Sequence, residues 1–328
     1  VIKITEVLTE LDFEVTYFVQ GRASVADLFK PEKRCGIYVL HFFDGVFYCG
    51  QAKDVTRRYV QHSKNHLDIE KISFKVIEEN QLDVIEKRCI EQLEKKGFRL
   101  RNIALTSIPY GPSDFDTIMS LDEQAKWLAD PNYSDFNGTR VINPELRAKY
   151  TKKYQKFEQL PYATQATEVL RQYARTCLPA VLRSEVSFWG CSCLPRYSDN
   201  SLYSRVNLNW QEVFTIFDDA GTLGFSWHLA KSPLEKVFGY PFDLKLRLRY
   251  PTIEIFNQLY RPGGQDQINL SLQGSKSALK FLSDPKILPA IRLFNMRLMK
   301  KGPCVYSRNH CLDLADKLVP ELTQLSGI

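Results

Sequence analysis

The chain reads as an α+β protein in two parts. The first is a small antiparallel three-stranded sheet with flanking helices, and a second mixed α+β domain follows. Three observations predict this. The stretch 36–50 sets two β-prone runs, Gly36-Ile37-Tyr38-Val39-Leu40-His41-Phe42 and Val46-Phe47-Tyr48-Cys49-Gly50, around an Asp44-Gly45 pair, the strongest short-range hairpin signal. Two stretches with helical apolar spacing come after it, separated by a β-prone run. The length, 328 residues, exceeds what one hydrophobic core usually serves. The expected division is 1–105 for an N-terminal segment and the first domain, with its core at 34–105. Residues 106–160 are expected to connect, and 161–328 to form the second domain.

Taken in order, residues 1–34 predict a strand through Phe13, Val15, Tyr17 and Phe18 and a short helix capped by Ser24 and ending near Phe29. The hairpin has two possible registers. A two-residue Asp44-Gly45 loop pairs His41 with Tyr48 and puts Tyr38 and Tyr48 on opposite faces. A three-residue loop with Gly45 left-handed in a G1 bulge pairs Phe42 with Val46 and Leu40 with Tyr48, so the tyrosines share a face. A joint role for them requires the second register, which is the one expected. Asp54 then caps a helix from about Val55 to His66, on which Arg58 and His62 lie four apart and share a face. Ile72–Ile77 reads as the third strand. A helix over Gln81–Lys96 turns Leu82, Ile85, Cys89, Ile90 and Leu93 inward, with Glu86 at the margin and Gly97 as its stop.

Residues 106–140, rich in Pro, Gly, Ser, Asp and Asn, predict a connection with one helix near Leu121–Leu128. Pro144–Phe157 predicts a basic-aromatic helix in which Arg147, Lys149, Lys152, Lys153 and Lys156 interleave with Tyr150, Tyr154 and Phe157. Its blander reading is the solvated face of a linker. Beyond it, Glu212–Asp218 and Leu223–Leu229 read as a hairpin around Asp219-Ala220-Gly221. Leu244–Tyr250 alternates as a strand with Lys245, Arg247 and Arg249 on one face, and Gln267–Leu272 reads as another strand. Helices are expected at Ser275–Leu282, Leu288–Lys300 and Asp313–Leu322.

Composition is that of an ordinary globular protein, with 44% hydrophobic and 25% charged residues, which excludes disordered and fibrous classes. No apolar run approaches the roughly 20 residues that span a bilayer, so no membrane partner is expected. The net charge of +6 is modest. Residues 161–328 hold 20 Lys+Arg against 14 Asp+Glu, a difference of +6, so the rest of the chain sums to zero. An electrostatic grip on nucleic acid is therefore expected in the C-terminal half. The eight cysteines are scattered and the N-terminus shows no secretory pattern, which predicts reduced thiols in the cytoplasm. Cys191-Ser192-Cys193 with Cys304, His310 and Cys311 lacks the paired Cys-x2-Cys of structural zinc sites, so no zinc is expected.

Gly36-Ile37-Tyr38, then Tyr48-Cys49-Gly50, then Arg58, His62, Glu86 and Asn102 resemble, in order and spacing, the GIY-YIG nuclease superfamily. The resemblance covers about seventy residues, near a fifth of the chain, and leaves the C-terminal half unassigned. Cys49 departs from the usual isoleucine or valine but remains a small buried side chain. The resemblance implies a metal-dependent endonuclease with Tyr38, Tyr48, Arg58, His62, Glu86 and Asn102 as catalytic residues. Glu86 would be the sole protein ligand of one Mg2+, with Mn2+ able to substitute. Arg58 would hold the scissile phosphate in its planar fork. Tyr38 would be the base or position the water, which requires its pKa to be lowered, and His62 is the alternative base. Tyr48 would contact phosphate or orient Tyr38, and Asn102 would brace the site.

DNA is the expected partner, with RNA left open, and cutting both strands would favour a homodimer or two sequential nicks. Nucleic-acid contacts are expected from Lys53, Arg57, Lys149, Lys152, Lys153, Lys245, Arg247 and Arg249. A restriction-like or defence role fits a nuclease with a private recognition domain. The alternatives are a non-catalytic nucleic-acid-binding protein, and a nuclease gated by a ligand- or partner-sensing C-terminal domain.

Overall fold

The computed structural model describes all residues except 1–2, 103–105, 134, 196–201, 257–258 and 320–328. The chain divides into two units, Val1–Gly111 and Pro112–Ile328. Among the described residues it is an α+β protein with two antiparallel sheets of four and six strands.

The first unit runs α1 (Ile4–Glu10), β1 (Val15–Phe18), β2 (Gly36–Phe42), β3 (Phe47–Ala52), α2 (Val55–Asn65), β4 (Ile69–Val76) and α3 (Leu82–Lys95). The hairpin closes through a three-residue loop. The Phe42 N–H donates to the Val46 carbonyl at 3.0 Å, the Gly45 N–H donates to the Phe42 carbonyl at 3.0 Å, and Gly45 takes φ 73°. Leu40 therefore faces Tyr48, and Tyr38 faces Gly50. α2 starts at Val55 because the Asp54 carboxylate accepts from the Thr56 and Arg57 N–H groups at 2.9 and 3.3 Å. α3 stops at Gly97 (φ 86°), where the Phe98 N–H closes back on the Leu93 carbonyl at 3.0 Å.

The sheet has four strands where three were predicted. Its order is β1-β4-β2-β3, because β4 pairs with β2 and β1 adds outside β4 with Val15 opposite Phe74. Tyr17 of β1 anchors edge-on against Phe29 at 5.3 Å. The helix predicted to end near Phe29 is instead a pair of turns, with Ser24 Oγ accepting from the Ala26 N–H at 3.3 Å and the Leu28 N–H donating to the Val25 carbonyl at 3.0 Å. Pro31 disfavours helical backbone in the residue before it. The sheet is covered on both sides. Ile37, Val39 and Cys49 pack with α1 and α3, whereas Tyr38, Leu40 and Ala52 pack with Val55 and Tyr59 of α2.

The second unit contains α4 (Leu121–Ala129), α5 (Pro144–Glu158), α6 (Ala163–Cys177), β5 (Trp189–Cys193), β6 (Leu202–Leu208), β7 (Gln211–Asp219), β8 (Thr222–Leu229), α7 (Lys231–Phe238), α8 (Phe242–Arg249), β9 (Glu254–Phe256), β10 (Ile268–Gln273), α9 (Ser275–Leu282), α10 (Leu288–Lys300) and α11 (Leu312–Ala315). Its sheet order is β5-β6-β7-β8-β10-β9. Asp219 pairs with Thr222 around Ala220 (φ 50°) and Gly221 (φ 85°), the doubly left-handed turn that suits a two-residue hairpin. Phe214, Phe225, Trp227 and Leu270 bury one face in a core shared with Tyr173, Phe281 and Ile291 of α6, α9 and α10. The other face carries Thr215, Ser226, His228, Asn269 and Ser271.

Three expectations change here. Leu244–Tyr250 is helical, not a strand. Its buried residues are Phe242, Leu246 and Tyr250, a spacing of four, while Leu244 and Leu248 stand 55% and 75% exposed. Lys245, Arg247 and Arg249 therefore form no single-faced stripe. Residues 112–160 belong to the second unit rather than to a connection, because Arg147 of α5 binds Asp313 and Asp316 at 2.6 Å each. The helix predicted over Asp313–Leu322 is the short α11, and 320–322 lie outside the described residues. No described helix is long and apolar enough to cross a membrane.

Candidate active site

Tyr38 lies mid-strand in β2, 1% exposed, and Gly50 opposite makes room for it. A Cβ at 50 would stand 2.5 Å from the Tyr38 hydroxyl and 2.8 Å from Tyr48 Cε1. Tyr38 and Tyr48 stack at 6.1 Å between centroids, and Tyr48 lies 4.7 Å from the His62 ring. Asp54 sets the start of α2, and one turn separates Arg58 from His62. Arg58 Nε donates to the Tyr38 hydroxyl at 3.2 Å, and that hydroxyl meets His62 Nε2 at 2.8 Å. Guanidinium only donates. The Tyr38 oxygen accepts from Arg58, and in the tautomer with the His62 proton on Nδ1 the Tyr38 hydroxyl donates to His62 Nε2.

Burial, reinforced by Tyr48, pushes the Tyr38 pKa up, although Arg58 opposes the shift. Arg58 by itself therefore does not bring Tyr38 to the lowered value that a tyrosine base requires. Burial, then Arg58, then His66 push His62 down to about 4. Both groups are held neutral at neutral pH, and in the free site His62 is a weak base. Arg58 is exposed, its Nη1 donating to Gln61 at 2.8 Å. His41 faces elsewhere, bonded to Ser73 Oγ at 2.8 Å.

Asn102 braces the outer edge of β3. The Phe47 N–H donates to the Arg99 carbonyl at 2.9 Å and the Arg101 N–H to the Phe47 carbonyl at 2.7 Å. Two residues on, Asn102 takes over with its side chain. Its Oδ1 accepts from the Cys49 N–H at 2.9 Å and its Nδ2 donates to the Cys49 carbonyl. The amide acts as one more peptide unit in the ladder.

Glu86 is 8% exposed and belongs to a second network, on the α3 side of the edge strand. Gln51 Nε2 donates to Glu86 Oε2 at 3.0 Å and to Asp83 Oδ1 at 2.6 Å. Gly50 and Gln51, adjacent on β3, thus serve the tyrosine network and the carboxylate network respectively. Sequence reasoning missed Asp83. Its signal was a second carboxylate three residues before Glu86, on the same helical face. Among the described residues no group of three or more His, Cys, Asp or Glu gathers as a metal cage. A Mg2+ ion needs only one or two carboxylates with waters and substrate oxygens, so this pair of hard oxygen donors fits it.

The expected nucleic-acid contacts fare unevenly. Arg57 projects from α2 with its side chain 88% exposed, and Lys152 is exposed. Lys53 pairs with Glu79. Lys149 reaches the Arg308 carbonyl at 3.5 Å, Lys153 the Leu194 carbonyl at 3.3 Å, and Lys245 the Phe238 carbonyl at 2.5 Å. Arg247 donates to the Ile253 carbonyl at 3.3 Å, and Arg249 pairs with Asp284 at 2.5 Å. Cys191, Cys193, Cys304 and Cys311 are buried free thiols. His310 accepts from the Cys191 N–H at 3.0 Å through Nδ1 and meets Glu185 through Nε2 at 3.0 Å. Both of its ring nitrogens are thus engaged.

Comparison with family models, with curated proteins and with solved structures finds no match for this chain.

Proposed function

We propose that the first unit is a metal-dependent DNA endonuclease that hydrolyses phosphodiester bonds. The observation that carries this is the Tyr38 hydroxyl, held between Arg58 Nε and His62 Nε2 with Tyr48 stacked alongside. Arg58 binds a phosphoryl oxygen with its exposed fork while its Nε keeps Tyr38 in place. An attacking water at the Tyr38 hydroxyl passes its proton to that oxygen as Tyr38 passes its own to His62 Nε2. Phosphate binding favours this relay, because the anion offsets the Arg58 charge that helps hold His62 down. Glu86, with Asp83 beside it, would hold Mg2+ or Mn2+, which supplies positive charge against the phosphoryl and leaving oxygens. Asn102 keeps β3, and with it Tyr48, in register. A reducing compartment such as the cytoplasm suits eight unbridged thiols.

The test is cleavage of supercoiled plasmid and of labelled single- and double-stranded oligonucleotides with Mg2+, with Mn2+ and with chelator. Arg58→Ala and Glu86→Ala are expected to lose roughly 10²–10³ of the rate while keeping the circular-dichroism spectrum. Intact substrates under every condition, or cutting that survives both substitutions, would sink the reading. Comparing single-strand with duplex cutting also decides whether the site acts on one strand at a time.

A further inference from the structure

The second unit has a built cavity on the solvent side of its sheet. Its floor is aromatic. The Phe217 ring of β7 lies flat over Gly224 of β8, where an added Cβ would stand 2.3 Å from Phe217 Cε2. Phe256 of the edge strand β9, 43% exposed, forms another wall, and the recess, half open to solvent, holds about 320 Å³. Register lines up polar groups across it: Ser226 of β8 faces Ser271 of β10, which faces Glu254 of β9. Asp219 stands at the rim, accepting from Gln273 Nε2 at 2.5 Å. The described lining thus offers two carboxylates and no lysine or arginine.

That combination selects a chemistry. A flat ring surface takes a planar ligand, hydroxyls and carboxylates accept its N–H groups, and the two negative charges turn phosphate away. The same face asks for polar partners beyond the cavity as well. His228, two residues along β8 from Ser226, is 6% exposed, and its Nε2 has no hydrogen-bond partner among the described residues, nor have Ser192 Oγ and Arg205 Nε farther along the sheet. Buried polar atoms left in this way are costly.

We propose that this cavity binds a planar heterocycle bearing an exocyclic amino group, a base of the cytosine or adenine kind, with Glu254 accepting from the amino group over the Phe217 ring. Carboxylate-to-amino pairing is how proteins read cytosine, and stacking on an aromatic face is how they hold an unstacked base. The cavity suits a nucleoside-sized ligand. The base arrives either as a free nucleoside or extruded from a nucleic-acid strand, and the chemistry of the cavity is the same for both.

The test uses the full chain in EDTA, so that binding is read without cleavage and stands or falls apart from the nuclease reading. Calorimetric titration with cytidine and adenosine is expected to show saturable binding, with uridine and the 5′-monophosphates weaker. Glu254→Gln, an exposed position that leaves folding untouched, is expected to weaken cytidine about tenfold, one hydrogen bond to a charged group. Gly224→Val, which drives Phe217 off the floor, is expected to abolish it. A duplex with one extrahelical cytosine forms the second arm. Tighter binding than the fully paired duplex, lost in Glu254→Gln, identifies a strand as the source, and nucleoside binding without that preference identifies a free small molecule. The proposal is overturned if neither nucleoside saturates and the bulged duplex gains nothing, or if Glu254→Gln leaves affinity unchanged.

Discussion

Tyr38 and His62 are in hydrogen-bond contact, and burial holds both in their neutral forms, with the proton on Tyr38 until a substrate alters the local charge. A third buried ring makes the electrostatics testable without any substrate. His41 is 7% exposed, and burial, then Lys71, lower it to about 4. Its folded pKa lies below the unfolded value near 6.5, so between those limits the unfolded chain binds more protons. The stability it contributes is complete above pH 6.5 and is lost as pH falls toward 4. For this group the loss at pH 5 amounts to about 2 kcal/mol. Urea unfolding of the first unit is expected to show a lower midpoint at pH 5 than at pH 7, with a smaller difference in His41→Gln. Equal pH sensitivity in the two chains would refute it.

The edge strand β3 is the element on which the site depends, since Tyr48, Gly50 and Gln51 all belong to it. Its outer side is held by 99–101 and by one side chain, Asn102. Asn102→Ala removes both bonds to the Cys49 backbone and leaves buried peptide groups unpaired, at a cost of about 1–3 kcal/mol. Hydrogen exchange is expected to accelerate at Cys49 and its strand neighbours, while α2 amides keep their protection. A rise spread evenly over the unit would mean that Asn102 serves the whole fold and not this edge. Helix α8 makes the converse point. Its cations look like a nucleic-acid stripe only if the segment is a strand. As a helix, it spends Arg249 on Asp284 and Lys245 on the end of α7.

At the scale of the molecule, several cations of the second unit are engaged inside it. Arg292 donates to the Trp127, Asp130, Pro131 and Tyr133 carbonyls at 2.7 to 3.1 Å. Arg297 pairs with Asp266 at 2.5 Å and Lys300 with Asp116 at 3.2 Å. These three cations organise the chain and are not placed to release counterions from DNA. In salt titrations of DNA affinity, Arg57→Ala is expected to lower the slope by about one, as for a lost phosphate contact. Lys245→Ala and Arg249→Ala should leave the slope unchanged, with Arg249→Ala lowering thermal stability by stranding Asp284. A shallower slope in the α8 variants would restore that helix as a binding surface.

Local pattern was enough for the bounds of α2 and α3, the hairpin around Asp219-Ala220-Gly221 and helices α9 and α10, but it left two registers for the first hairpin, between which the need for Tyr38 and Tyr48 to share a face chose. The former rest on short-range chemistry: the Asp54 cap, a helix stop at Gly97, turn residues at 219–221 and clean 3.6-residue spacing. Of the six residues the resemblance singles out, strand alternation and helical spacing account for Tyr38 and Tyr48 sharing a face and for Arg58 and His62 sharing another, whereas Glu86 lies in a separate network with Gln51 and Asp83. What needed the tertiary structure was everything that depends on a distant partner. β1 became a strand of the first sheet by pairing with β4, 53 to 59 residues away in the chain, and Asp83 joined Glu86 through Gln51 from another element. The alternating leucines of 244–248 misled because burial falls instead on Phe242, Leu246 and Tyr250, a choice made by the core they meet. The raised Tyr38 and lowered His62 pKa values likewise arise from burial between sheet and helix, and desolvation is a property of the packed molecule that no residue carries alone.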